Sequence, residues 1–406
     1  MEDQKVSRRE FLKVGAATAA VATTAGPLTV RGEEPQEKNR PLPRRRLGRS
    51  NVEVTILNQG TAFDIGERHL NLLHEEGVRC LDLADCYENG KSERTVGEWL
   101  NQNGRRKEYV LVTKDHPFTP DQWVEMLDRR LKNAKQDYID LYFIHALGDD
   151  EYPLEASVDW PKDPEWAKAA DRIKKSGKAR LVGFSSHCNP IERRTALLNN
   201  AAQGGWMDAI MLAVNPSLVR ENAEFNKALD ACHKAGVGLI SMKESRGGLP
   251  GIKEVFPEFE TRGLTPVGAI LTAMWTDERF TTICSHMDNI TKLKENAATA
   301  RDFKPMTTAE LDAVQRMLAV HPRGYCVGCD GSCRRAAGTQ TAFSDIARHL
   351  CYYEENGDRA RARRLFAALP PEARDWSQAD LAAASKACVS KLDFERILAR
   401  AAEKLA

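Results

Sequence analysis

A closed (β/α)8 TIM barrel carrying a small C-terminal all-helical, cysteine-containing module is the fold class the sequence predicts. Three observations predict it. From Val52 to Asp302, short β-branched runs alternate with helix-period segments, and eight such runs fit into about 250 residues. No GxGxxG follows the first run, which counts against the runner-up, an open doubly wound sheet. Beyond Pro305 the composition turns helical and basic, and cysteines cluster. A chain of 406 residues, 42% hydrophobic and 29% charged, suits a large soluble domain with an appendage. Its formal net charge of +1 gives no reason to expect nucleic acid or an anionic membrane as partner.

In chain order, the first element is an address. "SRREFLK" sets Arg8 and Arg9 before Phe11, Leu12 and Lys13, and an Ala/Thr-rich stretch follows. This resembles a twin-arginine export signal. The resemblance implies residues 1–31 as a signal peptide, the twin-arginine machinery as a partner and a periplasmic or otherwise exported protein. It also implies a cofactor inserted before export. Cleavage after Ala22 or Ala25 would leave no stable membrane span, since no apolar run suits an ordinary transmembrane helix. Residues 32–46 are polar and proline-bearing and read as a linker, with the barrel expected over residues 47–305.

The eight strand candidates are 55–61, 79–85, 108–114, 138–145, 180–186, 208–215, 236–243 and 280–286. Between them lie helical segments such as "TPDQWVEMLDRRLKNAKQ", opened by Thr119-Pro120, and "ENAEFNKALDACHKAG", closed by Gly236. In such a barrel the chemistry gathers where strands end. Those ends carry Asp82 with Tyr87 just after it, Lys114 and His145. Singly these are a packing tyrosine, a solvated lysine and a core histidine. Together they form a proton-donating unit. A tyrosine of ordinary pKa ~10 can donate near neutrality when a lysine held by a carboxylate stands beside it.

"GVRCLDLADCYENGKSE", "YVLVTK", "YIDLYFIH" and "RRLGRSNVEVTILNQGT" resemble the aldo-keto reductase family, from about Arg45 to Asp302. The resemblance implies Tyr87 as general acid, Lys114 and Asp82 as the groups that tune it, and His145 as the residue orienting the carbonyl. It implies hydride transfer between NADP, or NAD, and a small carbonyl or alcohol substrate. For the cofactor it implies Ser185 and Ser186 at the nicotinamide amide, with Met211 where a glutamine is customary. "SMKESRGGLPG", with Lys243, Gly247 and Gly248, would approach the pyrophosphate. Lys292, Glu295 and Asn296 would lie at the adenosine end, with lysine in place of a 2'-phosphate-gripping arginine. Free dinucleotide is not expected outside the cytoplasm, so a cofactor exported bound and kept bound is one resolution. A non-catalytic barrel that binds a ligand or partner is the other.

Residues 306–406 read as a separate helical module. Of the ten cysteines, Cys326, Cys329 and Cys333 have ligand spacing, and Cys388 is the best fourth. The module resembles the two halves of a ferredoxin-like tail, thinned where Ala337 stands and where Val389 follows Cys388. One 4Fe-4S cluster, a zinc ion, or a disulfide or vestigial loop are the readings. A metal would staple the module, and an iron-sulfur electron carrier is the remaining alternative.

Overall fold

The computed structural model describes residues 41–149, 152–188, 191–244, 256–320, 326, 331–354, 359–388 and 392–406. The expected signal peptide, Gly247, Gly248 and Cys329 lie outside the described residues. All eight expected strands form, most of them shorter than the apolar runs that announced them. They are β3 (Leu57–Gly60), β4 (Cys80–Asp82), β5 (Val110–Asp115), β6 (Ile139–Ile144), β7 (Ala179–Ser186), β8 (Ala209–Ala213), β9 (Gly238–Met242) and β10 (Phe280–Ser285). They close in sequence order, with β10 pairing parallel to both β9 and β3. Closure leaves no strand edge exposed.

The helices follow from capping and from the spacing of apolar residues. α1 (Glu67–Glu75) and α2 (Lys91–Gln102) follow β3 and β4, and α3 (Pro120–Ala134) follows β5. Thr119 Oγ1 accepts from Gln122 N at 3.2 Å, Pro120 fills the first turn, and α3 buries Trp123, Leu127, Leu131 and Ala134 on one face. After β6 come α4 (Leu154–Asp159) and α5 (Pro164–Lys175), and after β7 comes α6 (Ile191–Gly204). β8 leads to α7 (Pro216–Glu221) and α8 (Ala223–Lys234), which is capped by Asn222 and followed by Gly236 at φ +73. β9 leads to α9 (Pro257–Glu260) and α10 (Pro266–Thr276), and β10 to α11 (Ile290–Arg301).

Two boundaries differ from the sequence reading. The expected linker to residue 46 ends earlier, because β1 (Arg44–Arg46) pairs antiparallel with β2 (Glu53–Thr55) and Leu42 is already buried. This hairpin closes the barrel floor. Leu47, Val52 and Val54 join the interior cluster of Val112, Leu141, Phe143 and Met211, and Arg45 donates to the carbonyls of Phe280 and Trp275. The charged run "RRR" hid a strand whose arginines bond backbone instead of facing only water.

The second boundary moves the other way. α12 (Thr308–Val320) packs its Ala313, Val314, Met317 and Leu318 with Ile270 and Ala273 of α10, so it sits with the barrel's helices and not with the tail. The tail has its own core, built from α13 (Ser332–Ala337), α14 (Phe343–Glu354), α15 (Arg359–Ala368), α16 (Leu381–Ala387) and α17 (Phe394–Leu405) around Phe343, Ile346, Leu350, Phe394 and Leu398.

The barrel wall leaves no room at Gly183 in β7. A Cβ there would meet Ala209 O at 1.8 Å and the Phe143 ring at 2.8 Å. Gly183→Ala is therefore expected to cost about 3 kcal/mol or more in denaturant unfolding. Gly66→Ala, where nothing lies within 4 Å and only the N-cap preference of α1 for glycine over alanine is lost, should cost no more than about 1 kcal/mol. Equal stability of the two variants would contradict the packing described.

Candidate active site

Three adjacent strands bring the expected tetrad together at the barrel mouth. Asp82 ends β4, Lys114 is the penultimate residue of β5, and His145 directly follows β6. Tyr87 opens a tight turn in which Glu88, Asn89 and Gly90 all take positive φ, at 48°, 52° and 75°. Two non-glycine residues in that region cost energy that the surrounding structure must offset, a feature that concentrates at functional sites.

Lys114 is buried, and its ammonium has three N–H groups to satisfy. Nζ lies 2.7 and 2.8 Å from the two carboxylate oxygens of Asp82, 2.7 Å from Leu83 O and 3.2 Å from Tyr87 Oη. Because the lysine donates to Oη, the phenol's own hydrogen is left to point elsewhere; Asp82 Oδ2, at 3.5 Å, is too far to hold it well. Burial, and after it the Asp82 charge, pushes the Tyr87 phenol well above its usual range, so the proton stays on. Burial also raises Asp82, with the Lys114 charge opposing it. The ring of His145 stands edge-on to that of Tyr87, with centroids 5.9 Å apart. Burial holds His145 well below its usual range, which makes it a neutral imidazole.

Sequence reading missed a second set of polar groups around His145. Asp85 Oδ1 lies 3.5 Å from His116 Nδ1 and 3.9 Å from His145 Nδ1. Cys86 Sγ lies 3.8 Å from the same His145 nitrogen. Burial alone would raise Asp85, but the two histidines outweigh it and hold the carboxyl below the usual range. His116 was findable, since it directly follows β5, and Asp85 and Cys86 stand between Asp82 and Tyr87.

The residues expected at the cofactor are less gathered. Ser185 Oγ accepts from Ala146 N at 3.1 Å, and Ser186 Oγ donates to Leu147 O at 2.8 Å, with Cys188 Sγ 3.2 Å from the same oxygen. Both hydroxyls thus bind the segment after β6. Met211, level with Ser185 on β8, is buried in the barrel interior. Lys243 follows β9 at φ +64. Lys292, Glu295 and Asn296 lie on α11; Lys292 Nζ reaches Asp288 at 2.8 Å, Glu295 is exposed, and Asn296 donates to Ser285 Oγ at 3.1 Å. Lys292 is thus ion-paired with Asp288 and the start of α11 is capped by Asn289 Oδ1, so an adenosine phosphate would have to replace these partners to be held there. Cys333 and Cys388 are buried in the tail core, with Cys326 packed against it, and Cys351 is also buried.

The tail reaches the same face of the barrel. Arg348 of α14 donates to Asp149 Oδ1 at 3.0 Å, and Asp149 Oδ2 lies 2.8 Å from His187 Nδ1. Asp149 comes after β6 and His187 after β7. The His187 and Tyr352 rings are 6.5 Å apart, and Arg361 stands over Tyr352 at 5.1 Å. Burial would raise Asp149, but a hydrogen bond from the His187 ring and the charges of Arg348 and Lys243 keep it below its usual range. Nothing in the linear sequence connects positions 149, 187 and 348.

Residues 53–255 match the model of the aldo/keto reductase family, and residues 5–25 match that of the TAT (twin-arginine translocation) pathway signal sequence, the address of that export route. The chain is 28% identical over 254 residues to the Schizosaccharomyces pombe aldo-keto reductase yakc, whose name carries NADP(+), covering 58% of this chain and 66% of that protein. It is 30% identical over 163 residues to the uncharacterized oxidoreductase YqkF of Bacillus subtilis, covering 36% of this chain and 49% of that one. To a norsolorinic acid reductase of Aspergillus flavus it is 27% identical over 173 residues, covering 37% and 41%. The chain thus spans less than two thirds of each of these relatives. The holo form of an aldo-keto reductase from Bacillus halodurans superposes with a TM-score of 0.52 at 21% identity, over 68% of this chain and 96% of that one, a likeness of fold.

Burial lowers His187 to about 3, against an unfolded value of 6.5. The unfolded chain therefore binds more protons between these values, and stability is expected to fall as pH drops through that window. At pH 5 the loss from His187 is up to about 2 kcal/mol. Denaturation midpoints at pH 7 and pH 5 should converge in His187→Gln, and an unchanged gap would contradict a buried neutral imidazole.

Proposed function

This chain belongs to the aldo/keto reductase family, and from that premise we propose that it is an exported, nicotinamide-dependent oxidoreductase that interconverts a small carbonyl compound and its alcohol. The observation that carries the reading is the Lys114 ammonium, bound at once to Asp82 and, at 3.2 Å, to Tyr87 Oη. A nicotinamide bound at the barrel mouth would supply the hydride to the carbonyl carbon.

This chain's own residues do the rest. Neutral His145 donates a hydrogen bond to the substrate oxygen and orients it. Tyr87 gives its proton to that oxygen as charge develops there. The phenolate left behind is stabilised by Lys114, whose charge is held in place by Asp82, and it regains a proton from solvent. Lacking a partner of this kind, the raised phenol would be a poor acid. The lysine's hydrogen bond strengthens once Oη carries charge, so its contribution falls on the transition state more than on the resting site.

Ser185, Ser186 and Lys243 would flank the nicotinamide and phosphates, and Lys292, Glu295 and Asn296 the adenosine end. The exposed Lys292, together with NADP(+) in a relative's name, supports NADP over NAD. Export supports a dinucleotide carried out bound, and Arg348 seated on Asp149 between the ends of β6 and β7 supports its retention. In the tail, Cys333 and Cys388 lie in one core with Cys326 against it, which supports a thiolate-held staple. Among the described residues their sulfurs do not gather within the 4.8 Å that one zinc ion needs, so a 4Fe-4S cluster, whose ligand sulfurs stand farther apart, is the better-supported occupant.

Tyr87→Phe is expected to lower carbonyl reduction by about 10²- to 10⁴-fold with the barrel still cooperatively folded, at a stability cost of no more than about 3 kcal/mol for the partner lost by Lys114. Protein purified from the exported fraction should release a nicotinamide dinucleotide on denaturation. If none is released, none binds and no reduction is measurable, the non-catalytic binding barrel is the better reading. Metal analysis and electron paramagnetic resonance on protein purified without oxygen should find iron or zinc; a metal-free product would remove the staple.

A further inference from the structure

We propose that Asp85, Cys86 and His145 form a binding site for one zinc-class divalent cation at the mouth of the barrel. Their ligand atoms, a carboxylate oxygen, Sγ and a ring nitrogen, all lie within 4.8 Å of one another. Sγ to Nδ1 is 3.8 Å and Nδ1 to Oδ1 is 3.9 Å. Tetrahedral zinc bonds place such ligands roughly 3.3 to 3.6 Å apart, so the nitrogen–sulfur gap must close by about 0.2 Å and the nitrogen–oxygen gap by about 0.6 Å, with the sulfur and carboxylate, which start within 4.8 Å of each other, drawing in as well. A carboxylate that merely oriented His145 would stand at hydrogen-bond distance. Here Asp85 Oδ1 is buried and stands 3.9 Å from His145 Nδ1, too far for a close hydrogen bond to it, with His116 Nδ1 at 3.5 Å on its other side.

The ligand chemistry selects the ion. A thiolate and an imidazole favour zinc over magnesium or calcium, and three protein ligands leave a fourth position for water or a substrate oxygen. Cys86 is exposed, which gives the cation a path in. On binding, the thiol proton leaves to solvent and no electrons move. Coordination through Nδ1 puts the imidazole hydrogen on Nε2, making that nitrogen the donor. This last consequence rests on the proposed role of His145; the binding site does not.

Cobalt(II) added to the purified full-length protein is the probe. Wild type should show a sulfur-to-cobalt charge-transfer band that zinc displaces and that Cys86→Ser lacks. Asp85→Asn should weaken cobalt binding at least tenfold. The tail thiolates contribute equally to wild type and Cys86→Ser, so they cancel in the difference spectrum, and both substitutions are near-isosteric at positions outside the apolar core. Equal bound cobalt and superimposable spectra for wild type and Cys86→Ser would overturn the proposal. Neither readout depends on carbonyl reduction, so the site and the proposed reaction stand or fall separately.

Discussion

The site is organised by one buried ammonium. Lys114 could not remain charged inside the barrel without partners, since an isolated buried cation shifts to its neutral form or forces the structure to open. Its three hydrogens are taken by Asp82, the Leu83 carbonyl and Tyr87. Two of those partners belong to β4 and the segment just after it, so the ion pair also fixes the level of β4 against β5, where Asp82 stands opposite Val112. Removing either charge would leave the other unpaired in the interior, the costly case for a buried pair. Chemistry and strand register therefore depend on the same contact.

That contact needs a rigid frame, and the frame is made at the opposite end of the barrel. The β1–β2 hairpin covers the floor with Leu47, Val52 and Val54, and Arg45 ties it to the start of β10. The floor carries packing and backbone hydrogen bonds, while the mouth carries the ionisable groups. The strained backbone at Glu88 and Asn89 thus sits in a turn outside the strands, where it does not interrupt the hydrogen-bonded ladder beneath.

How much of this was legible depends on the range of the interaction. The eight strands were readable because a parallel strand buried on both faces leaves a continuous apolar run. Asp82, Lys114 and His145 were readable because each sits at a strand end, a position the alternation itself locates, with Tyr87 in the turn that follows β4. What escaped was set by tertiary contact. The strand "RRR" looked like linker because its Arg45 bonds carbonyls 230 and 235 residues away. α12 looked like tail because composition cannot say which surface its apolar face covers. Asp85 and His116 were overlooked beside brighter neighbours, although the strand-end rule reached them too. The Asp149–His187–Arg348 contact had no linear signal of any kind.

That last contact bears on why folding before export would matter to this chain. An ion pair in the interior is weak evidence of net stability, but it discriminates strongly between arrangements, because a misplaced partner leaves a charge unpaired. Asp149 and His187 belong to two segments at the barrel mouth, and Arg348 to a helix whose own core lies in the tail. Each part can bury its apolar residues separately, yet the polar groups are satisfied only when both are folded and docked. The mouth is therefore complete only when barrel and tail are both folded and docked. A route that moves finished proteins suits such a dependence: the site would be complete, and any group it holds enclosed, before the chain leaves the compartment in which it was made.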